Sequence, residues 1–207
     1  GLFGPKSRDM ISSISNSDFS KDNFKFATAK EVEISDIKVW AQRISYVGEL
    51  GYELYVKKEN AKKLFEILVS EGKKFNLSLC GMHAMDSMTI ESGYGHWGHD
   101  ISPEENQFEA GLNFAISFKK NTNFIGREVL EKIKDKNTDK KLKMIILENS
   151  KPGEPLLLHD EPIFFKNKIV GRTTSGNFSF NFNKNLAFGY INSGMSHQEI
   201  ENSEFEI

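Results

Sequence analysis

Apolar positions change period repeatedly along this chain, and each change predicts an element. Gly4-Pro5, followed by Met10, Ile11 and Ile14 at helical spacing, predicts a helix near the start, since proline is tolerated in a first turn. Residues 15–30 are polar and turn-rich and read as a loop or weak strand. From Ile37 the period falls to two, with Trp40, Ile44 and Tyr46 on one face and Val39, Ala41 and Arg43 on the other. Gly48-Glu49-Leu50-Gly51 breaks that run. Tyr52, Leu54 and Val56 then alternate with Glu53 and Tyr55, predicting a β-hairpin with a glycine-bounded turn.

Helical spacing returns at Ala61, Leu64, Phe65 and Leu68, with Gly72 as the expected C-cap. A second helix is expected from about Gly81 to Glu91, carrying Ala84, Met85 and Met88 inward. An irregular segment, YGHWGHDI, precedes a strand expected around Leu112 to Phe118. A third helix is expected over about Ile125 to Ile133, with Glu128 and Lys132 paired one turn apart. After a charged connector at residues 135–141 the pattern is all-β. Leu142 to Leu147 reads as a strand, Lys151-Pro152-Gly153 as a turn, and Phe164-Phe165 with Ile169-Val170 as a hairpin around Lys166-Asn167-Lys168. Short strands near Phe178 and over Leu186 to Ile191 complete a small barrel or sandwich. The fold class is therefore α+β, with one domain expected at 1–134 and a second, β-rich, at 135–207.

Composition narrows the function classes. A hydrophobic share of 38% with 27% charged residues suits a packed core under a polar surface, and most of the 17 Phe are expected in that core. A net charge of -2 gives no broad basic field, so nucleic acid is not an expected partner. No apolar run approaches the roughly 20 residues that span a bilayer, and the opening GLFGPKSRDM has no signal-peptide pattern, so no membrane partner is expected and a cytoplasmic location is. Cys80 alone cannot form an internal disulfide, fits a reducing compartment, and is expected as a buried small hydrophobe. The lack of an initiator Met suggests a piece of a longer protein.

Chemistry concentrates in ISYVGELGYELYV, residues 44–56, where tyrosines, carboxylates and glycines cluster. A carboxylate there can accept two hydrogen bonds from adjacent N–H donors of a flat heterocycle, with a tyrosine ring near its face. A pterin offers such a donor pair. Glu53 is the better placed acid, because it lies inside a strand, whereas Glu49 lies at a turn tip. His96, His99 and Asp100 lack a firm third ligand and second shell, so no metal is expected; Trp97 is expected to pack and the histidines to bond neighbouring backbone. A role for either histidine near the ligand path stays open.

Six segments, in order, resemble the glycine-cleavage T-protein (aminomethyltransferase) family: GPKSRDM, YVGELGYE, CGMHAMDSMTIESGYGHWGHDI, FEAGLNFAISF, NFIGREVL and VGRTTSGNFSF. The resemblance implies part of a folate-binding domain followed by part of a C-terminal β-barrel domain. It carries tetrahydrofolate contacts onto Tyr46, Glu53 and Tyr94. Met85 stands where the family has an arginine. That departure and the HWGHDIS segment look like the folate-binding halves of dimethylglycine and sarcosine dehydrogenases. In those enzymes a flavin domain oxidises an N-methyl group and the folate domain captures the one-carbon unit. The resemblance thus implies tetrahydrofolate here, FAD only on a linked upstream flavin domain, and a mitochondrial-matrix location in a eukaryote. The family's catalytic aspartate belongs upstream of the Gly4-Pro5 motif, so no catalytic residue is expected in this chain, which alone should be inert. A piece of a stand-alone aminomethyltransferase, or a non-catalytic folate-binding relative, is the alternative.

Overall fold

A computed structural model describes residues 1–207 as two compact units, Gly1–Ser92 and Gly93–Ile207. In the first unit, β1 (Leu2–Phe3), α1 (Ser7–Ser13), β2 (Ala29–Ile34), β3 (Ile37–Gln42), β4 (Gly51–Tyr55), α2 (Lys58–Gly72) and α3 (Met82–Glu91) follow in chain order. The strands form an antiparallel sheet in the order β1-β4-β3-β2. Its inner face is the alternation of Val32 and Ile34 with Ile37, Val39, Ala41 and Tyr52. Met10 and Ile11 from α1, Leu64 from α2, and Phe19 and Phe24 from the connecting loop close the same core.

Several sequence expectations are corrected here. β2 falls inside and just beyond the stretch read as loop; its own period of two, Val32 and Ile34 against Glu31 and Glu33, is short but present. β3 ends at Gln42, so Ile44 and Tyr46 lie in an irregular connection, and the hairpin is wider than expected. Gly72 stays helical; the chain runs through a 3-10 turn at Lys73–Phe75 and leaves it at left-handed Asn76 (φ 59°). Gly72 is required for another reason: a Cβ there would lie 2.6 Å from the Leu77 Cβ. On α3 the buried residues are Ser87, Thr89 and Ile90, while Ala84 is exposed. Cys80 is exposed as well.

The second unit contains α4 (Arg127–Ile133), β5 (Lys140–Leu147), β6 (Pro162–Phe165), β7 (Lys168–Ser179), β8 (Lys184–Asn192) and α5 (His197–Glu201). Its strands pair antiparallel in the order β5-β8-β7-β6. The expected turn between β6 and β7 is present: Lys166 and Asn167 both take positive φ (51° and 61°), the geometry a two-residue hairpin needs. The expected strand at Leu112 to Phe118 is absent and only a 3-10 turn, Asn113–Ala115, occurs. Polar spacing explains α5, which the apolar pattern did not predict: Ser196 accepts from the Glu199 N–H (3.2 Å) while the Glu199 carboxylate accepts from the Ser196 N–H (2.8 Å). On α4 the side-chain pair is Arg127–Glu131 at 2.8 Å rather than the pair read from sequence. Past α5, Glu206 exchanges two backbone hydrogen bonds with Phe164 on the β6 edge (2.8 and 3.1 Å). Trp97, expected to pack, is 72% exposed.

Glu105 sits largely out of solvent and is paired with the Lys140 ammonium. Burial alone would push its carboxyl up, but Lys140 together with the Ser102 hydroxyl and N–H holds it below the usual glutamate range. The folded group therefore titrates below its unfolded counterpart. Its contribution is complete above about pH 4.3 and is lost as pH falls through the folded value. Urea unfolding of the second unit between pH 7 and pH 3 is expected to show this acid loss, and Glu105→Gln to flatten it. In the first unit, Ile34→Ala is expected to lower stability by about 2–5 kcal/mol, because Ile34 is fully buried. Phe65→Ala, at a position 52% exposed, is expected to change it by less than about 0.5 kcal/mol in the same denaturation experiment.

Candidate functional site

The orientation of Glu53 follows from its neighbours. Tyr52 is fully buried, its ring edge-on to Phe19 (5.3 Å between centroids) and tilted against Phe24 (5.5 Å). Leu54 packs against the same core. Because successive strand residues point to opposite faces, Glu53 and Tyr55 must share the outer face of β4. Pairing with β3 sets Gln42 opposite Glu53 and Trp40 opposite Tyr55 on that face. Trp40 and Tyr55 stay about half exposed, at 48% and 52%.

The Tyr55 hydroxyl donates to the Glu53 Oε2 at 2.6 Å, which pushes the phenol above the ordinary tyrosine range. An ionised carboxylate has about four acceptor positions, so one such bond fixes its plane and leaves both oxygens able to accept from a further donor pair. The site thus combines an oriented, partly exposed carboxylate with a neighbouring pair of aromatic residues, Trp40 and Tyr55. The sequence reading put Tyr55 on the Glu53 face by its period of two but missed the Tyr55–Glu53 bond and Trp40. For Trp40 the β3–β4 register was the needed signal, and it becomes readable only once β3 is known to end at Gln42.

Tyr46 lies in the connection between β3 and β4, half-buried rather than on a strand. Its carbonyl accepts from the Thr89 hydroxyl of α3 at 2.8 Å. The same connection leans on the end of α3 at Gly48, whose φ is +72° and whose added Cβ would lie 2.1 Å from the Ser92 Oγ. At its far end the Leu50 carbonyl accepts from the Gly4 N–H (2.8 Å) and the Ser7 hydroxyl (3.2 Å). Gly4-Pro5 and the 46–53 segment, two separate motifs in the sequence, are therefore one hydrogen-bonded assembly. Glu49, at the loop tip, is exposed.

Tyr94 belongs to the second unit and is 41% exposed. It opens a compact loop in which the His96 and His99 rings stand 6.4 Å apart, nearly perpendicular. Asp100 in that loop is 1% exposed and accepts from the Thr174 hydroxyl (2.5 Å), the Ser175 hydroxyl (2.7 Å) and the His96 N–H (2.8 Å). Its partners also escaped the sequence reading, although the TTS triplet containing them was noted. No helix in the structure is long and apolar enough to cross a membrane.

Comparison with known proteins finds two family segments, the first of which runs past the Ser92–Gly93 boundary between the units. Residues 1–120 match the family described as GCVT N-terminal domain, and residues 140–207 the glycine cleavage T-protein C-terminal barrel domain. Mitochondrial dimethylglycine dehydrogenase of Rattus norvegicus is 35% identical over 191 residues, covering 92% of this chain and 22% of that protein. Mitochondrial sarcosine dehydrogenase of Mus musculus is 35% identical, with 91% of this chain and 20% of that protein covered. An aminomethyltransferase of Listeria welshimeri is 34% identical over 97% of this chain and 53% of its own length. The chain thus spans from about a fifth to about half of these relatives. In three dimensions, the crystal structure of glycine cleavage system aminomethyltransferase T from Bartonella henselae superposes with a TM-score of 0.75 at 22% identity, covering 91% of this chain and 50% of that one. With both of its matched segments in family order and more than half its length in the first of them, the chain belongs to the glycine cleavage T-protein family.

Proposed function

We propose that this chain is the tetrahydrofolate-binding part of an enzyme that oxidises an N-methyl amine, taking up the released one-carbon unit. The observation that carries the reading is Glu53: an oriented carboxylate with spare acceptor capacity, held on an outer strand face beside the paired Trp40 and Tyr55. That geometry fits the 2-amino and N3 edge of a pterin, whose adjacent N–H groups would span the two carboxylate oxygens. The family resemblance also assigns folate contacts to Tyr46 in the first unit and Tyr94 in the second. Tetrahydrofolate, when bound, supplies the amines that take up a one-carbon unit. The chain's own residues bind and orient it.

One feature favours an N-methyl amine dehydrogenase over a stand-alone aminomethyltransferase: Met85 stands on α3 where the resemblance to aminomethyltransferases has an arginine. In this reading a linked flavin domain carries FAD and chooses the N-methyl substrate, and this chain contributes no catalytic residue of its own.

Isothermal calorimetry on the intact protein tests the carboxylate. Glu53→Gln is expected to weaken tetrahydrofolate binding by about 1.5–3 kcal/mol, the usual scale for a charge-assisted hydrogen bond, and Glu49→Gln to leave it unchanged. Tyr55→Phe is expected to cost about 0.5–1.5 kcal/mol, since it removes only the bond that fixes the carboxylate plane. Equal affinity in the wild type and Glu53→Gln would reject Glu53 as the pterin anchor. For the reaction itself, free formaldehyde released from dimethylglycine or sarcosine by the intact protein is expected to fall when tetrahydrofolate is added; unchanged release sinks the one-carbon role.

A further inference from the structure

Asp100 poses a physical question that ligand contacts do not answer. A carboxylate that is 1% exposed needs donors, and here three come from two different parts of the second unit. One is the N–H of His96 in its own loop (2.8 Å). The other two, the hydroxyls of Thr174 and Ser175, come from consecutive residues of β7 and reach the same oxygen, at 2.5 and 2.7 Å. A regular strand would turn consecutive side chains to opposite faces. The β7–β8 register, however, slips between Thr173 and Ser175, where Thr173 opposes Gly189 and Ser175 opposes Phe188. Thr174 is the extra residue of a bulge, and the bulge is what turns both hydroxyls onto Asp100.

The loop is closed around the same point. The His96 carbonyl accepts from the N–H groups of Asp100 (2.9 Å) and Ile101 (3.1 Å), and Gly98 donates back to the Ile101 carbonyl (2.7 Å). Gly95 keeps the loop close to its own far end: a Cβ there would be tight against the Ile101 Cδ1 (3.2 Å) and the Asp100 Cβ (3.4 Å). The aromatic groups of the same loop stay exposed, Tyr94 at 41% and Trp97 at 72%.

We propose that Asp100 is a positioning residue: latched to the β7 bulge through Thr174 and Ser175, it holds the 94–101 loop in the form that keeps Tyr94, a folate contact in the reading above, exposed to a ligand. This inference rests on the folate reading above. Tetrahydrofolate affinity of the intact protein, measured with hydrogen exchange at the His96 amide, tests it in Asp100→Asn, Thr174→Val and Thr174→Ser. Asp100→Asn and Thr174→Val are expected to raise the Kd about tenfold and to speed His96 exchange, with little change in global unfolding. Thr174→Ser keeps the hydroxyl and is expected to restore wild-type affinity, which a general packing defect would not allow. If Asp100→Asn does not fold, Thr174→Val against Thr174→Ser carries the test alone. Unchanged affinity beside faster His96 exchange overturns the positioning role and leaves folate binding standing. A wild type that does not bind tetrahydrofolate overturns both.

Discussion

The burial of Tyr52 is the constraint on which the candidate site depends. Its ring is held by Phe19 and Phe24, its hydroxyl accepts from the Arg8 guanidinium at 3.3 Å, and its backbone pairs with Leu2 on β1. With that residue fixed inward, strand geometry leaves Glu53 no choice but the outer face, and the β3 register then delivers Trp40 and Gln42 beside it. A slip of one residue would bury the acid and expose the tyrosine. The candidate carboxylate thus owes its direction to an apolar contact on the opposite side of the sheet.

Legibility in the sequence divided along physical lines. Elements with long, clean periods were readable: α2, α3, β5, β8 and the β6–β7 hairpin all lie where their patterns place them, within a few residues at the ends. Elements held by long-range or polar contacts were not. β2 is six residues with only two fully buried side chains, too short a signal against the turn-rich stretch before it. The strand expected at Leu112 to Phe118 had apolar residues but no partner, and Phe114 there is 82% exposed. On α3 the inward residues are hydroxyls, Ser87 and Thr89, because the neighbouring loop offers a carbonyl, that of Tyr46, for Thr89 to satisfy. Hydrophobicity alone cannot anticipate that exchange.

The same division holds for the site. The strand position of Glu53 was legible, because alternation separates it from Glu49 at a loop tip. Trp40 was not, since its proximity is a matter of cross-strand register. Nor was the Asp100 network, whose partners lie more than seventy residues away along the chain and depend on a bulge that no single-sequence pattern announces.

The paired backbone of Glu206 and Phe164 has a consequence for how the molecule behaves at high concentration. β6 is the outer strand of its sheet, and unpaired outer strands offer neighbouring molecules a ready template for addition. Here the chain occupies part of that template with its own tail, and places acidic side chains, Glu204 and Glu206, beside it. Phe205 and Ile207 hold that segment in place by packing on the core around Ile163, and the Phe205 ring lies 5.3 Å from that of Phe165 on β6.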